Sequence, residues 1–190
     1  AQNVSIRDNH SLDDDVKMYF LVEVAAMDAF IAAWDAKMHY DFARPYALVH
    51  QYYQDEMIKA WAGPEKGIIE VKGKEWRPYS PETFLCPPFP SYVSGHSAVS
   101  GACSEVLRLF TGSDEFGEQV TLVPGLLTEP ENVGDTVVLK LRTFTETANM
   151  AGISRVLGGY HIQSDNVEGL KLGRNVARAV WVKYVKHVGG

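Results

Sequence analysis

Val16, Phe20, Val24, Met27, Ile31 and Trp34 recur at intervals of three and four residues, the spacing that gathers side chains on one face of an α-helix. Asp13, Asp14 and Asp15 stand just before the first of them, where the positive end of a helix dipole favours acidic groups. Together they predict a long amphipathic helix from about residue 13 into the low forties. Pro45 interrupts or restarts it, and the segment through Trp61 reads as helix again, with Leu48, Tyr52, Ile58 and Trp61 toward its buried side.

Residues 62–96 hold Gly63-Pro64, Pro78, Pro81, Pro87-Pro88 and Pro90, which predicts a long irregular loop with a short extended piece at 68–71. Residues 97–110 are rich in small side chains, with Val99, Ala102, Val106 and Leu109 on one side, as in a tightly packed helix. The β-prone stretches 119–124 and 136–141, with turn formers at Pro124-Gly125 and Gly134-Asp135, predict a small hairpin. A helix over 143–157 ends at Gly158-Gly159, and a last one over 165–187 carries Leu170, Gly173, Ala177, Val180, Trp181 and Tyr184 on one face. The expected fold is all-α: a helical bundle of about five helices with a long proline-rich loop and a small β-hairpin.

Composition narrows the function classes. With 190 residues, 46% of them hydrophobic, the chain can bury one sizeable core in a single domain, 1–190. Its apolar stretches are broken by Glu23, Asp28 and other polar residues, short of the ~20 apolar residues of a membrane span. The net charge of −6 and the lack of a basic, aromatic-laced stripe argue against nucleic acid. Cys86 and Cys103 have neither metal-type nor redox-type spacing; free thiols are expected, and the compartment stays open.

Three separated segments carry chemistry. Lys37 and Arg44-Pro45 lie about two helical turns apart, so both cations can project from the same side of the first helix toward one anion. Ser94-Gly95-His96 opens a predicted helix, where backbone N–H groups favour negative charge and Gly95 allows close approach. His96 can act as acid or base. Ser154-Arg155 precedes His161, and Asp165, four residues on, can hold one imidazole nitrogen and leave the other free to attack phosphorus or bind a metal. Taken singly, each piece has a plainer reading: a solvated face, a helix cap, or an Asp165–Glu168 capping box. Taken together they form an oxyanion site, since two opposite charges 4 Å apart interact by about 4 kcal/mol at an effective dielectric of 20.

Lys37-x6-Arg44-Pro45, Ser94-Gly95-His96 and Ser154-Arg155-x5-His161-x3-Asp165 resemble, in order and spacing, the signature of the type 2 phosphatidic acid phosphatase (PAP2) and vanadium haloperoxidase superfamily. Pro87-Pro88-Phe89-Pro90 ahead of the second motif, with Asp165-Asn166-x-Glu168-Gly169-Leu170 and Leu172-Gly173-Arg174, is similar to the soluble vanadium haloperoxidases in particular. The resemblance implies that Lys37, Arg44, Arg155, Ser94 and the Gly95 N–H bind the equatorial oxygens of vanadate, with His161 as axial metal ligand. Asp165 would orient His161, His96 would manage protons at the opposite apical oxygen, and Lys37 would polarise hydrogen peroxide. Trp34 and Phe89 fall where site-lining residues stand, although plain core aromatics are the alternative.

The implied activity is oxidation of halide by hydrogen peroxide to a hypohalous species that halogenates a small organic substrate. The first alternative is an acid phosphatase that hydrolyses phosphate esters through a phosphohistidine, since phosphate can occupy the same site; the second is a non-catalytic oxyanion-binding module. Val93 replaces the proline usual before Ser94, which removes no functional group. A length of 190 residues suits the C-terminal half of a two-bundle protein, so an upstream domain or partner chain is expected to complete the fold, with a homo-oligomer also open.

Overall fold

The computed structural model describes residues 1–63, 66–81, 83–126 and 134–188. Helix α1 spans Gln2–Asp8 and α2 spans Leu12–Tyr40. Ser11 fixes the start of α2: its hydroxyl accepts the Asp14 N–H at 3.2 Å, and the Asp14 carboxylate takes the Ser11 N–H at 3.1 Å. Asp41 ends the helix with φ 47°, in the left-handed region. A short α3, Pro45–Tyr52, follows with proline at its first position, where the missing N–H is not needed.

The segment expected to continue as helix to Trp61 does not. Residues 57–61 form strand β1, Met57–Trp61, antiparallel to β2, Ile68–Lys72, with Ile58 opposite Val71 and Ala60 opposite Ile69. Gly63 and Gly67, at φ 114° and 66°, flank the turn. Tyr52 and Trp61 are exposed, so the helical period read there was a coincidence of four apolar residues. The predicted extended piece at 68–71 lies inside β2, which leads into a 3-10 turn at Gly73–Glu75.

Helix α4, Gly95–Thr111, begins at Ser94, whose hydroxyl accepts the Ser97 N–H at 3.3 Å. Strands β3, Glu115–Leu122, and β4, Val137–Thr143, form the expected hairpin, longer at the β3 start than the sequence indicated. Pro124-Gly125 sits just past β3 and Gly134-Asp135 just before β4. Helices α5, Phe144–Leu157, and α6, Gln163–His187, complete the chain, and α6 starts two residues before its expected boundary.

Helices α2, α4, α5 and α6 pack together as the bundle. Its core joins Leu21, Ala25 and Ala29 of α2 to Ala102 and Val106 of α4 and Ala177 and Val180 of α6. On α2 the buried stripe is Met18, Leu21, Ala25, Ala29, Ala33 and Lys37. The larger apolar stripe that announces the helix in the sequence lies mostly outside: Val16, Phe20, Met27 and Ile31 are each more than half exposed. Small residues allow α2 to approach α4 closely, and that contact wins the inward orientation. Both cysteines are free thiols, as expected. Among the described residues no helix is long and apolar enough to cross a membrane.

Candidate active site

Lys37 ends the buried stripe of α2, so its stem is packed and only its ammonium reaches the bundle end; the residue is 2% exposed. Its Nζ donates to the carbonyls of Pro90 and Ser91, both at 2.8 Å, leaving one of three N–H donors. Burial, then the charge of Arg44, lowers its pKa from 10.5 to about 8, against the pull of Asp165. The unfolded lysine keeps its proton to higher pH, so between about 8 and 10.5 this group makes stability rise with pH. Binding of an anion beside Lys37 would have the opposite dependence, because the attractive charge is present below about pH 8 and lost above it. Phosphate affinity, followed by calorimetry across pH, is expected to fall through that value in the native protein, and a Lys37→Met variant should lose the step.

Arg44 reaches the same place from a different element. It is the N-cap of α3, beyond the end of α2, so the two cations do not share a helix as their spacing suggested. Its Nε donates to the Phe89 carbonyl at 3.0 Å, one terminal nitrogen to the Tyr160 carbonyl at 3.0 Å and to His161 Nε2 at 3.1 Å, and the other to the Pro90 carbonyl at 3.3 Å. The ring of Phe89 lies under both cations, 5.5 Å from Lys37 Nζ and 5.0 Å from the Arg44 guanidinium carbon.

His161 precedes α6 and is buried. Its Nδ1 donates to Asp165 Oδ2 at 2.9 Å, and Nε2 accepts from Arg44, which defines a neutral ring whose Nε2 lone pair is held by the Arg44 N–H beside the cavity that His161 lines. Burial, with the charges of Arg44 and Lys37, lowers its pKa despite the bond to Asp165. For Asp165, burial acts upward, but hydrogen bonds from His161 and Ser91 outweigh it and hold the carboxyl below its ordinary value. Asp165 is the third residue of α6, taking the Ile162 N–H at 3.4 Å, so the cap it makes does not involve Glu168 as an acceptor partner.

Gly95 begins α4, and a Cβ there would meet nothing within 4 Å, so its open side faces the cavity that it lines. Ser94 is fully buried as the helix cap and is not part of the cavity wall. His96 stands at the rim; partial enclosure, then the charges of Arg155, His161, Arg44 and Lys37, lowers its pKa. Arg155 projects from α5 with its guanidinium 4.4 Å from the Tyr160 ring. Among the described residues its buried Nε has no hydrogen-bond acceptor.

Lys37, Arg44, Gly95, His96, Arg155 and His161 all border one cavity of about 410 Å³. Trp34 and Phe89, ring centroids 5.0 Å apart, form its apolar side with Phe30 and Val99. Sequence reasoning missed Ser91, whose hydroxyl donates to Asp165 Oδ2 at 2.5 Å; its position directly after the Pro87–Pro90 run was the available signal. Among the described residues no three His, Cys, Asp or Glu side chains are grouped to hold a metal ion. Three cations and the backbone N–H groups of a helix start are donors suited to an oxyanion, and an arginine Nε without an acceptor fits such a guest.

Comparison with known proteins gives the family and the fold. Residues 17–190 match the family described as VCPO second helical-bundle domain. A curated relative, vanadium chloroperoxidase of Curvularia inaequalis, is 28% identical over 101 residues, covering 51% of this chain and 15% of that protein. A holo-type bacterial vanadium-dependent chloroperoxidase superposes with a TM-score of 0.78 at 25% identity, over 90% of this chain and 36% of that one. A bacterial vanadium-dependent iodoperoxidase gives 0.67 at 28% identity, over 96% and 37%. The chain therefore spans little more than a third of these solved relatives.

Proposed function

We propose that this chain, which belongs to the VCPO second helical-bundle domain family, carries the oxyanion site of a vanadate-dependent haloperoxidase that oxidises halide with hydrogen peroxide. The observation that carries the reading is the convergence of Lys37, Arg44, Arg155, the α4 start and His161 on one cavity. Vanadate, when bound, supplies the Lewis-acid centre that activates peroxide. Arg155 would bind its oxygens with donors that have no other acceptor at Nε, and the Gly95 N–H would add a backbone donor. The remaining Lys37 proton would lend a hydrogen bond to peroxide, and Asp165 would hold the Nδ1 proton of His161 so that Nε2 keeps its lone pair, free to ligate once the Arg44 N–H turns to the oxyanion. His96, neutral at the rim, would take and return protons.

Ser94 enters as a positioning cap for Gly95, its place in the cradle being indirect. The test pairs two assays: bromination dependent on peroxide and added vanadate, and hydrolysis of an aryl phosphate. Halogenation that requires vanadate and is blocked by phosphate is expected. Phosphatase turnover with no halogenation would replace this reading with the phosphohistidine one, and anion binding with neither activity would leave a binding module.

The exposed stripe of α2 bears on assembly. Phe20, Met27, Ile31, Trp34 and Met38 alternate in steps of three, four and seven, the seam spacing of helices packed side by side. We propose that a further helical bundle, upstream or in a partner chain, covers this face. Substituting an exposed residue changes stability by about 0.5 kcal/mol or less, whereas an uncovered charge in an interface costs several. Ile31→Lys is thus expected to lower the melting temperature sharply in the assembled protein, and an unchanged temperature would sink the idea.

A further inference from the structure

Ser91 occupies a junction that no signature residue occupies. Its backbone N–H donates to the Phe42 carbonyl at 2.8 Å, which ties it to the α2–α3 connection. Its carbonyl accepts from Lys37 Nζ at 2.8 Å. Its hydroxyl donates to Asp165 Oδ2 at 2.5 Å and lies 3.3 Å from His161 Nδ1. The residue is 2% exposed, so water does not compete for these bonds.

Asp165 Oδ2 collects the Nδ1–H of His161, the Ser91 hydroxyl and, more weakly, the Ile162 N–H. The Ser91 bond is the shortest of the three and the only one from outside the 161–165 segment. A carboxylate held only by its own helix turn can rotate about its side-chain torsions; one tied to a separate, packed loop cannot. The loop is itself anchored by Lys37, so the position of the imidazole and that of the ammonium are set by one residue.

We infer that Ser91 is a positioning residue that clamps Asp165, and through it His161, in register with Lys37. The inference rests on the proposed role of His161 as the anchoring group. Atoms move nowhere in this role: the hydroxyl proton stays on Ser91 Oγ and the Nδ1 proton stays on His161.

The test compares the native protein with Ser91→Ala and Ser91→Thr. The readouts are vanadate and phosphate dissociation constants and the imidazole signals of histidine labelled with nitrogen-15. The native protein should give a downfield, slowly exchanging Nδ1–H proton for His161. Ser91→Ala should lose that signal to exchange and bind vanadate about 10- to 100-fold more weakly, the usual effect of removing a partner behind a ligating histidine. Ser91→Thr, which keeps the hydroxyl, should restore both.

An alanine variant that retains both the signal and the affinity overturns the inference. Should it fail to fold, Ser91→Cys, similar in volume but a weak donor, is held to the same criteria. If the native protein binds neither anion, the functional reading fails, while the Nδ1–H comparison still decides the role of Ser91.

Discussion

His161→Ala is expected to abolish turnover and to weaken vanadate binding by about 100-fold or more, because it deletes the Nε2 lone pair that, once the Arg44 N–H turns to the oxyanion, would ligate vanadate in the proposed site. The cations that remain would still attract an oxyanion, so residual weak phosphate binding should survive and fade as salt rises. Folding should suffer modestly. Asp165 keeps the Ser91 and Ile162 donors, and the loss of one charge-assisted bond is worth about 1.5–3 kcal/mol. Calorimetric titration, a melting curve and the bromination assay separate these outcomes, and turnover equal to the native protein would remove His161 from the mechanism.

Arg155→Ala makes a useful contrast. It removes the donors whose Nε has no acceptor but leaves the imidazole in place, so affinity should drop while the His161 signals persist.

How much of this could be read from the sequence depends on the kind of contact involved. The three motifs were legible because each places chemistry by local geometry: a helix start at Gly95, a four-residue step from His161 to Asp165, and a proline that restarts the chain after Arg44. Residues 57–61 were misread because Ile58 and Trp61 were taken to continue the helical spacing of Leu48 and Tyr52, whereas pairing with Ile68–Lys72, a nonlocal event, decided the outcome. The α2 stripe was found but not its direction. Larger side chains suggested the inward face, whereas Ala25, Ala29 and Ala33 permit the closer helix contact. Ser91 escaped because its place after the Pro87–Pro90 run marks a constrained loop but does not name its partner, a carboxylate 74 residues away.

Gly173→Ala tests the packing on which the site stands. Helix propensity alone predicts a gain of about 1 kcal/mol for this change in a helix interior. The crossing of α4 and α6 predicts the reverse. A Cβ at Gly173 would overlap the Ala98 carbonyl oxygen and lie 2.8 Å from the Ala102 nitrogen, both backbone atoms that cannot turn aside as a side chain would. Gly101 and Gly169 repeat the arrangement, with Cβ positions 2.8 Å from the Leu170 oxygen and 2.7 Å from the Ser94 oxygen. The helices must therefore separate, at about 3 kcal/mol by the upper range for overpacked cores, or a melting temperature lower by roughly 6–12 °C in a chain of this size. The consequence reaches the chemistry. Ser94 at the head of α4 donates its N–H to the Asp165 carbonyl at 3.0 Å, so the glycine contact holds the Gly95 donor at a fixed distance from His161. Anion affinity in Gly173→Ala should fall although no group touching the anion has changed, and a variant that melts higher with native affinity would show that the close crossing of α4 and α6 does not set the site.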